Sequence, residues 1–253
     1  MFMRSTIFLC LSVATVAVAA GQDHYEIYPD QVERELDSLF HSSPLIYLQI
    51  DAYRLTDHDI GRFAKRFDID YAAVKAIIEI ETGKTHSGLY DMGCPLINFD
   101  STLFSKRLAR TGVNMSAVRK RYPEVFARPN IQKYGSYQRA QQARLDQARQ
   151  INDRLAVECT FWGMFQIAGF NWRKCGVDSV EDFVELMGRS ERDQLQMFGV
   201  FLNSSGMLDY VRNRQWDKFA RAYNGPKYKA KGYDKRLLAA YNKFKSVVKS
   251  NSD

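Results

Sequence analysis

The sequence predicts a mainly α-helical protein, and three observations support this prediction. Apolar residues recur at helical spacing, most clearly in residues 71–82, where Val74, Ile77 and Ile78 share one helix face with Glu81. Ser or Thr followed three residues later by Asp, a pattern typical of helix N-termini, precedes several apolar segments. No stretch shows the sustained alternation of apolar and polar residues that indicates a half-buried strand.

The predicted elements follow one another along the chain without an internal repeat or a low-complexity linker. Residues 22–55 predict a short helical lead-in, and residues 84–99, punctuated by Gly and Pro, predict a loop. The lysine-rich end of the chain predicts a frayed, solvated tail. The predicted helices are 57–67 after Thr56, 71–82 between Asp70 and Gly83, 137–158, one after Ser179, one from Ser190 to near Gly206, 215–223 and 233–249.

Composition bounds the class of protein without selecting a function. The chain has 253 residues, of which 45% are apolar, and this length suits one large domain with an ample core. The net charge of +7 is spread along the chain rather than gathered in one arm. Such a charge favours anionic partners in general, such as cell walls, lipids or nucleic acid.

The N-terminus predicts a signal peptide. Arg4 precedes an apolar run at residues 7–19, and small residues at 18–20 come directly before Gly21. The run is too short to span a bilayer comfortably, so we expect no stable membrane insertion. Residues 1–20 are therefore predicted to be removed and the protein to be exported, to the periplasm or outside the cell, with a net charge of +6 once Arg4 is lost.

The cysteines and histidines argue against a metal site. Export would leave Cys94, Cys159 and Cys175 in an oxidising compartment, which allows one disulfide and one remaining thiol. Their spacing matches no zinc pattern, and the four histidines, at positions 24, 41, 58 and 86, do not cluster. We therefore expect neither a metal nor another cofactor.

Glu81 is the carboxylate that the helical period singles out. It interrupts the apolar face of the helix predicted at 71–82, whereas Glu79 lies roughly 200° around that helix and is expected to pair with Lys75. Burial and the negative end of the helix dipole both raise the pKa of a glutamate, as a general acid at neutral pH requires. A carboxylate at the edge of the core, paired to an arginine elsewhere, would give the same pattern.

Two further segments extend this pattern into a family resemblance. Residues 161–167 read Phe-Trp-Gly-Met-Phe-Gln-Ile and residues 221–226 read Arg-Ala-Tyr-Asn-Gly-Pro, both after Glu81-Thr82-Gly83. Together they resemble the signature segments of goose-type lysozymes and soluble lytic transglycosylases. The match to the N-acetylmuramidase domain of phage endolysins is closer, because it also includes the segments at residues 97–100, 122–125 and 175–180 and covers about residues 55–245.

This resemblance implies a lysozyme-like fold with a cleft between helical subdomains, formed by residues 56–253 after an N-terminal extension at 21–55. It implies that Glu81 protonates the glycosidic oxygen and that the hydroxyl of Tyr223 orients its carboxyl group. For Trp162 the favoured interpretation is a large core anchor. The resemblance further implies a set of substrate-binding residues, namely Met164 and Phe165 on the cleft wall, Gln166 and Asn224 as positioning amides, and Tyr228 stacked on a sugar.

Asp100 is the main departure from the family pattern, which usually has Glu at this place. As a second carboxylate, Asp100 would activate water or stabilise the oxocarbenium-like transition state. A surface aspartate or an N-cap for the helix after Ser101 is the alternative interpretation. The wall-binding repeat module that often precedes such endolysins is also missing from residues 21–54.

The resemblance extends to the cysteines and to the partners. Cys175 falls in a segment shared with phage enzymes that act from a reducing cytoplasm, so we expect a buried thiol there, and we predict a Cys94–Cys159 disulfide. The expected partner is the glycan strand of peptidoglycan, cut by a monomeric enzyme that binds no nucleic acid. A lytic transglycosylase that releases anhydro-muramyl products and a non-catalytic cell-wall-binding protein remain alternatives.

Overall fold

The computed structural model describes residues 52–83 and 87–250. The predicted signal peptide at 1–20, and the predicted lead-in as far as residue 51, lie outside the described residues. The described part is mostly helical, which confirms the predicted fold class. Its α-helices are α1 (Asp57–Phe67), α2 (Tyr71–Thr82), α3 (Ser101–Ala109), α4 (Met115–Arg121), α5 (Pro123–Phe126), α6 (Ile131–Tyr134), α7 (Tyr137–Ile151), α8 (Asp153–Glu158), α9 (Val180–Arg189), α10 (Glu191–Ser204), α11 (Leu208–Arg212), α12 (Trp216–Asn224) and α13 (Tyr233–Ser250).

Helix boundaries follow the capping residues in the sequence. Thr56 and Asp59 form a reciprocal capping box at α1, and the Asp70 side chain accepts a hydrogen bond from the Ala72 N–H at α2. Ser179 and Ser190 cap α9 and α10 as predicted. The long helix predicted at 137–158 is instead two helices, because the extended backbone of Asn152 ends α7 and its side chain caps α8.

Within the loop predicted at residues 84–99, the described residues 87–99 contain three strands, which belong to two small antiparallel sheets. Strands β1 (Leu89–Asp91) and β2 (Cys94–Pro95) form one sheet. The other sheet has the order β3 (Ile97–Phe99), β4 (Thr160–Trp162), β5 (Ile167–Ala168). Each strand has two or three residues, too few for alternation to stand out in a sequence.

Helix α10 lies in the core, where it packs against both α1 and α11. Leu195, Phe198 and Leu202 are buried on one face, and the Phe198 ring stacks on Phe165 with centroids 4.0 Å apart. On another face the absence of a side chain at Gly199 admits a phenylalanine ring, since a Cβ there would lie 2.4 Å from an atom of Phe67. None of the described helices is both long and apolar enough to cross a bilayer.

The helix α13 packs along α2, and Lys243 and Lys245 form ion pairs with α2 and its N-cap, so the predicted frayed tail is wrong for these two lysines. Its apolar face, which includes Leu237 and Tyr241, is buried, and this burial holds the helix in place. The predicted ion pair between Glu79 and Lys75 is not formed either, because each of the two side chains pairs with a residue of another helix. Lys243 of α13 lies 2.6 Å from Glu79, whereas Lys75 lies 2.8 Å from Asp57.

Candidate active site

Glu81 occupies the last turn of α2 as the sequence predicts. Val74 and Ile77 on the same face are 2% exposed, and Gly83, with a φ of +53°, ends the helix directly after the acid. The Glu81 Oε1 atom is buried and has no hydrogen-bond partner among the described residues. A buried carboxyl oxygen without a donor is costly as an anion, so this environment favours the protonated form.

Burial raises the pKa of Glu81 from its ordinary 4.5 to about 8, and the positive charge of Arg236 on α13 opposes the rise. A pKa in this range favours the protonated form of Glu81 at neutral pH. A proton held by a carboxyl group in a water-poor site is what general acid catalysis needs. Glu79, two residues earlier, is half-exposed and paired with Lys243, so the helical period separates the two glutamates as predicted.

Tyr223 lies close to Glu81 at the end of α12. Its hydroxyl donates a hydrogen bond to the backbone carbonyl of Phe165, and its ring stacks on Phe219 with centroids 5.4 Å apart. Burial and the charge of Glu81 raise the pKa of Tyr223 well above its usual value of 10. Because the phenolic proton is already engaged, the Tyr223 oxygen can serve as an acceptor for the Glu81 proton.

The turn between β4 and β5 is closed by Gln166 itself. The Gln166 Nε2 and backbone N–H donate to the Gly163 carbonyl at 2.9 and 3.1 Å, and Gln166 adopts a left-handed φ of +46°. Gly163, with a φ of +70°, donates its N–H to Leu96 at 2.7 Å. Of the two predicted roles for this amide, sugar contact and loop positioning, the hydrogen bond supports loop positioning.

Met164 and Phe165 do not form the cleft wall that we expected. Their side chains are 3% and 1% exposed, since both point into the core, where Phe165 stacks on Phe198. Phe165 contributes to the site through its backbone carbonyl, which holds Tyr223. Trp162 is likewise a core anchor, 3% exposed, with its Nε1 donating to the Val157 carbonyl at 3.1 Å.

Gln194 is a residue of this region that sequence reasoning missed. It is fully buried on α10, and its Oε1 accepts from the Met164 N–H at 2.7 Å. Its Nε2 donates to the carbonyls of Gly88, at 3.2 Å, and Met187, at 2.7 Å. One side chain thus ties the Gly163–Gln166 turn to the segment that follows the Glu81 helix.

Glu191, the first residue of α10, also binds the segment that follows the Glu81 helix. It is 3% exposed; Oε1 accepts from the Gly88 N–H at 2.8 Å and Oε2 accepts from the Leu55 N–H at 2.9 Å. Glu191, Gln194 and Leu195 lie at i, i+3 and i+4 on one buried face. Polar residues within an apolar stripe were the signal that singled out Glu81, and the same signal was available here.

Asp100 is the N-cap of α3, as the alternative interpretation proposed. Its Oδ1 accepts from the backbone N–H groups of Thr102 and Leu103, each at 2.9 Å. The Asp100 backbone N–H donates to the Cys159 carbonyl. Four residues earlier, the Leu96 carbonyl accepts from the Gly163 N–H. At about 3.3 Å per extended residue, Asp100 and the Gly163 turn lie about 13 Å apart along the β3–β4 ladder.

Beside Asp100 lies an open groove of about 330 Å³, distinct from the Glu81 carboxyl site in its lining residues. Tyr137 and Gln141 of α7 line it together with Asn98, whose side-chain oxygen accepts from Gln141 Nε2 at 2.9 Å. The half-buried ring of Phe161 forms another part of the wall. Asp100 therefore belongs to a polar groove with aromatic walls.

Two other predicted binding residues differ in exposure. Asn224 is exposed at the end of α12, directly after Tyr223, where its amide can reach a ligand. Tyr228 is only 5% exposed, and its hydroxyl donates to Asp217 at 2.5 Å. Its ring is covered by the chain, so it does not present a face on which a sugar could stack.

The predicted Cys94–Cys159 disulfide is not formed. Among the described residues Cys94, Cys159 and Cys175 are all buried thiols. Cys159 lies opposite Asp100, whereas Cys94 lies six positions before Asp100, in mostly extended chain that spans up to about 20 Å. A disulfide needs Cα atoms within about 7 Å, a condition that proximity of segments in the sequence does not ensure. The expected buried thiol at Cys175 is confirmed.

Comparisons with known proteins identify the family of this chain. The sequence profile of the N-acetylmuramidase family matches residues 70–245. The crystal structure of the Burkholderia AP3 phage endolysin resembles this chain with a TM-score of 0.65 and 35% sequence identity, over 78% of this chain and 72% of that one. No curated protein sequence matches at a significant level. The chain therefore belongs to the N-acetylmuramidase family, and this membership supports a peptidoglycan-degrading activity.

Proposed function

We propose that the protein is an exported muramidase that hydrolyses the β-1,4 bond between N-acetylmuramic acid and N-acetylglucosamine in peptidoglycan. The observation that carries the proposal is the Glu81 carboxyl group, whose Oε1 is buried without a hydrogen-bond donor among the described residues and whose pKa burial raises to about 8. An ordinary structural glutamate in this place would be paired with a cation. The family membership supplies the substrate class.

In the proposed reaction Glu81 gives its proton to the glycosidic oxygen as the bond from that oxygen to C1 breaks. Water then adds to C1 of the oxocarbenium-like sugar and returns a proton to the Glu81 carboxylate. Tyr223, whose hydroxyl donates to the Phe165 carbonyl, lies near enough for its charge and that of Glu81 to act on each other, and its oxygen keeps lone pairs that can accept the Glu81 proton when substrate is bound. Each cycle consumes one water and leaves the enzyme unchanged.

Other residues of the chain have supporting roles in this proposal. Gln166 fixes the turn that carries the Phe165 carbonyl, and Asn224 is placed to hold a sugar at the exposed end of α12. We assign Asp100 to the cap of α3, and its catalytic role as a second carboxylate stays a prediction. Removal of residues 1–20, action as a monomer and independence of metal or other cofactors also stay predictions.

We expect the kcat/KM for peptidoglycan to fall as the pH rises through about 8. The acid acts in its protonated form, and its pKa in the free enzyme is about 8, so the active fraction halves there and then drops about tenfold per pH unit. Hydrolysis of soluble glycan strands between pH 5 and 10 measures this limb. A rate that is already falling at pH 5 would contradict the assignment of Glu81.

The masses of the released fragments test the reaction type. A hydrolase adds water across the bond, so each new muramyl end is 18 Da heavier than the anhydro end that a transglycosylase leaves, the difference being one water. We expect reducing muramyl ends from purified sacculi. Anhydro-muramyl ends would support the transglycosylase alternative, and binding to sacculi without any fragments would support the non-catalytic one.

A further inference from the structure

Residues 101–121, which form α3, α4 and the turn between them, carry a concentrated positive charge. This α3–α4 segment contains six basic residues and no acidic one, so the charge of the chain is less evenly spread than we expected. Arg107 forms an ion pair with Glu158 at 2.9 Å. The other five are exposed, and none of them forms an ion pair within the described part of the chain: Lys106, Arg110, Arg119, Lys120 and Arg121.

A hydrogen bond holds the end of α4 beside α3. Arg119 Nη2 donates to Ser105 Oγ at 2.8 Å, and the guanidinium carbon of Arg119 lies 4.5 Å from the centroid of the Phe126 ring. The basic residues at 119–121 are therefore close to Lys106, which follows Ser105 in the chain. Cations gathered in a limited area attract an anionic surface more strongly than the same charges dispersed over the protein.

The turn between α3 and α4 presents an apolar side chain among these cations. Residues 109–114 are all exposed, and Val113 keeps 39% of its surface in contact with solvent. No residue of α4 is fully buried, so this helix also lies on the surface. An exposed valine flanked by cations suits the interface of an anionic bilayer, where headgroups attract the charges and the acyl boundary accepts the apolar side chain.

A second basic stretch, residues 212–253, has twelve basic and three acidic residues. It includes α12, which carries Tyr223, and α13, which packs along the Glu81 helix, so its cations are close to the candidate active site. The five unpaired cations of the α3–α4 segment are different. They do not line the groove beside Asp100, and they have no part in the described contacts of Glu81 and Tyr223.

We infer that the α3–α4 segment binds the surface of an anionic lipid bilayer, with its cations on the headgroups and Val113 below them. Three of the five unpaired cations are arginines, and a guanidinium can hold a phosphate through two parallel hydrogen bonds. A soluble polyanion would use the cations alone, because it offers no apolar layer for Val113. Such binding is peripheral, weakens with salt and does not depend on the activity proposed for Glu81.

The test is cosedimentation with phosphatidylcholine vesicles that contain about 30% phosphatidylglycerol, in about 0.1 M salt. Removing three cations should weaken binding about 100-fold, since each contributes about fivefold: Lys106→Gln, Arg110→Gln and Lys120→Gln together. The charge-conserving triple variant should bind like the wild type: Lys106→Arg, Arg110→Lys and Lys120→Arg. The control removes three exposed charges from the second basic stretch and should change binding less than about threefold, because salt screens distant charges: Lys218→Gln, Lys231→Gln and Lys235→Gln.

Val113→Ser separates a bilayer from a soluble polyanion. We expect this variant to weaken vesicle binding at least about threefold and to leave the binding of soluble polyphosphate unchanged, because only the bilayer accepts the apolar side chain. Leu238→Ser is the matched control, since Leu238 is 48% exposed on α13. Its binding to the same vesicles should equal that of the wild type.

Equal losses in the two triple glutamine variants would overturn the inference, because binding would then follow net charge and not the α3–α4 segment. Equal binding to vesicles of pure phosphatidylcholine would overturn it as well. Undiminished vesicle binding by Val113→Ser would favour a soluble polyanion as the partner and exclude the bilayer. All variants keep residues 1–51, so any binding by the N-terminus is common to them, and an unchanged urea midpoint shows that each retains its fold.

Discussion

Glu81→Gln is expected to lower the rate of sacculus hydrolysis by at least about 100-fold. The amide keeps the size of the side chain but has no proton of suitable acidity for the glycosidic oxygen, and general acid catalysis contributes about 10²–10⁴-fold to such rates. The release of soluble muropeptides from purified sacculi at pH 6–7 measures the effect. Full activity in this variant would exclude Glu81 as the acid.

Glu79→Gln is the matched control for this experiment. Glu79 lies on the same helix two residues earlier, is partly exposed and pairs with Lys243 on the outer face. We expect its replacement to change the rate less than twofold, because an exposed ion pair contributes at most about 1 kcal/mol to stability. A loss as large as that of Glu81→Gln would assign the effect to helix α2 rather than to the acid.

The stability of Glu81→Gln shows whether the fold survives the substitution. Folding raises the pKa of Glu81 from 4.5 to about 8, so the unfolded chain releases this proton first and wild-type stability falls as the pH rises between these values. At pH 7 the variant should exceed the wild type by about 3 kcal/mol, and at pH 4 the two should agree. Urea denaturation at both pH values measures this difference.

Gln194→Ala is expected to lower the free energy of unfolding by about 3 kcal/mol or more. The substitution leaves the Met164 N–H and the carbonyls of Gly88 and Met187 buried without their partner, and an unsatisfied buried group costs about 1–3 kcal/mol. Denaturation in urea at pH 6 gives this value. Activity at a temperature where the variant remains folded should also fall, because the turn carrying the Phe165 carbonyl loses its anchor.

The control for this variant is Gln196→Ala, two residues further along α10. The Gln196 amide accepts one exposed hydrogen bond, from Arg66 at 2.9 Å. We expect a change of less than about 0.5 kcal/mol, as for most surface substitutions. Equal destabilisation by the two variants would show that helix α10, and not the buried amide of Gln194, is responsible.

The sequence predicted those parts of the fold and site that local rules decide. Helix caps at Thr56, Asp70 and Ser190 follow from side-chain hydrogen bonds within four residues, so a sequence shows them directly. The burial of Glu81 follows from helical period alone. The proximity of Tyr223 to Glu81 needed the family resemblance, because 142 residues separate the two positions in the chain.

The features that escaped prediction depend on contacts between distant segments. The approach of Arg236 to Glu81 is decided by how α13 packs on α2, and the role of Gln194 by which backbone groups surround it. The Cys94–Cys159 prediction failed for the same reason, since the two cysteines lie beyond opposite ends of the β3–β4 ladder. Neither composition nor spacing contains the three-dimensional separation of two residues.

The packing of α13 on α2 also bears on when in its synthesis the protein can become active. Glu81 lies on an early helix, whereas α13, which packs along that helix, begins only at Tyr233, 152 residues after Glu81. A growing chain that has not yet reached residue 233 lacks α13, so we expect Glu81 to be more open to water there and to keep the lower pKa of an ordinary glutamate. For the proposed acid, the order of the helices therefore postpones the rise in its pKa until almost all of the domain has been made.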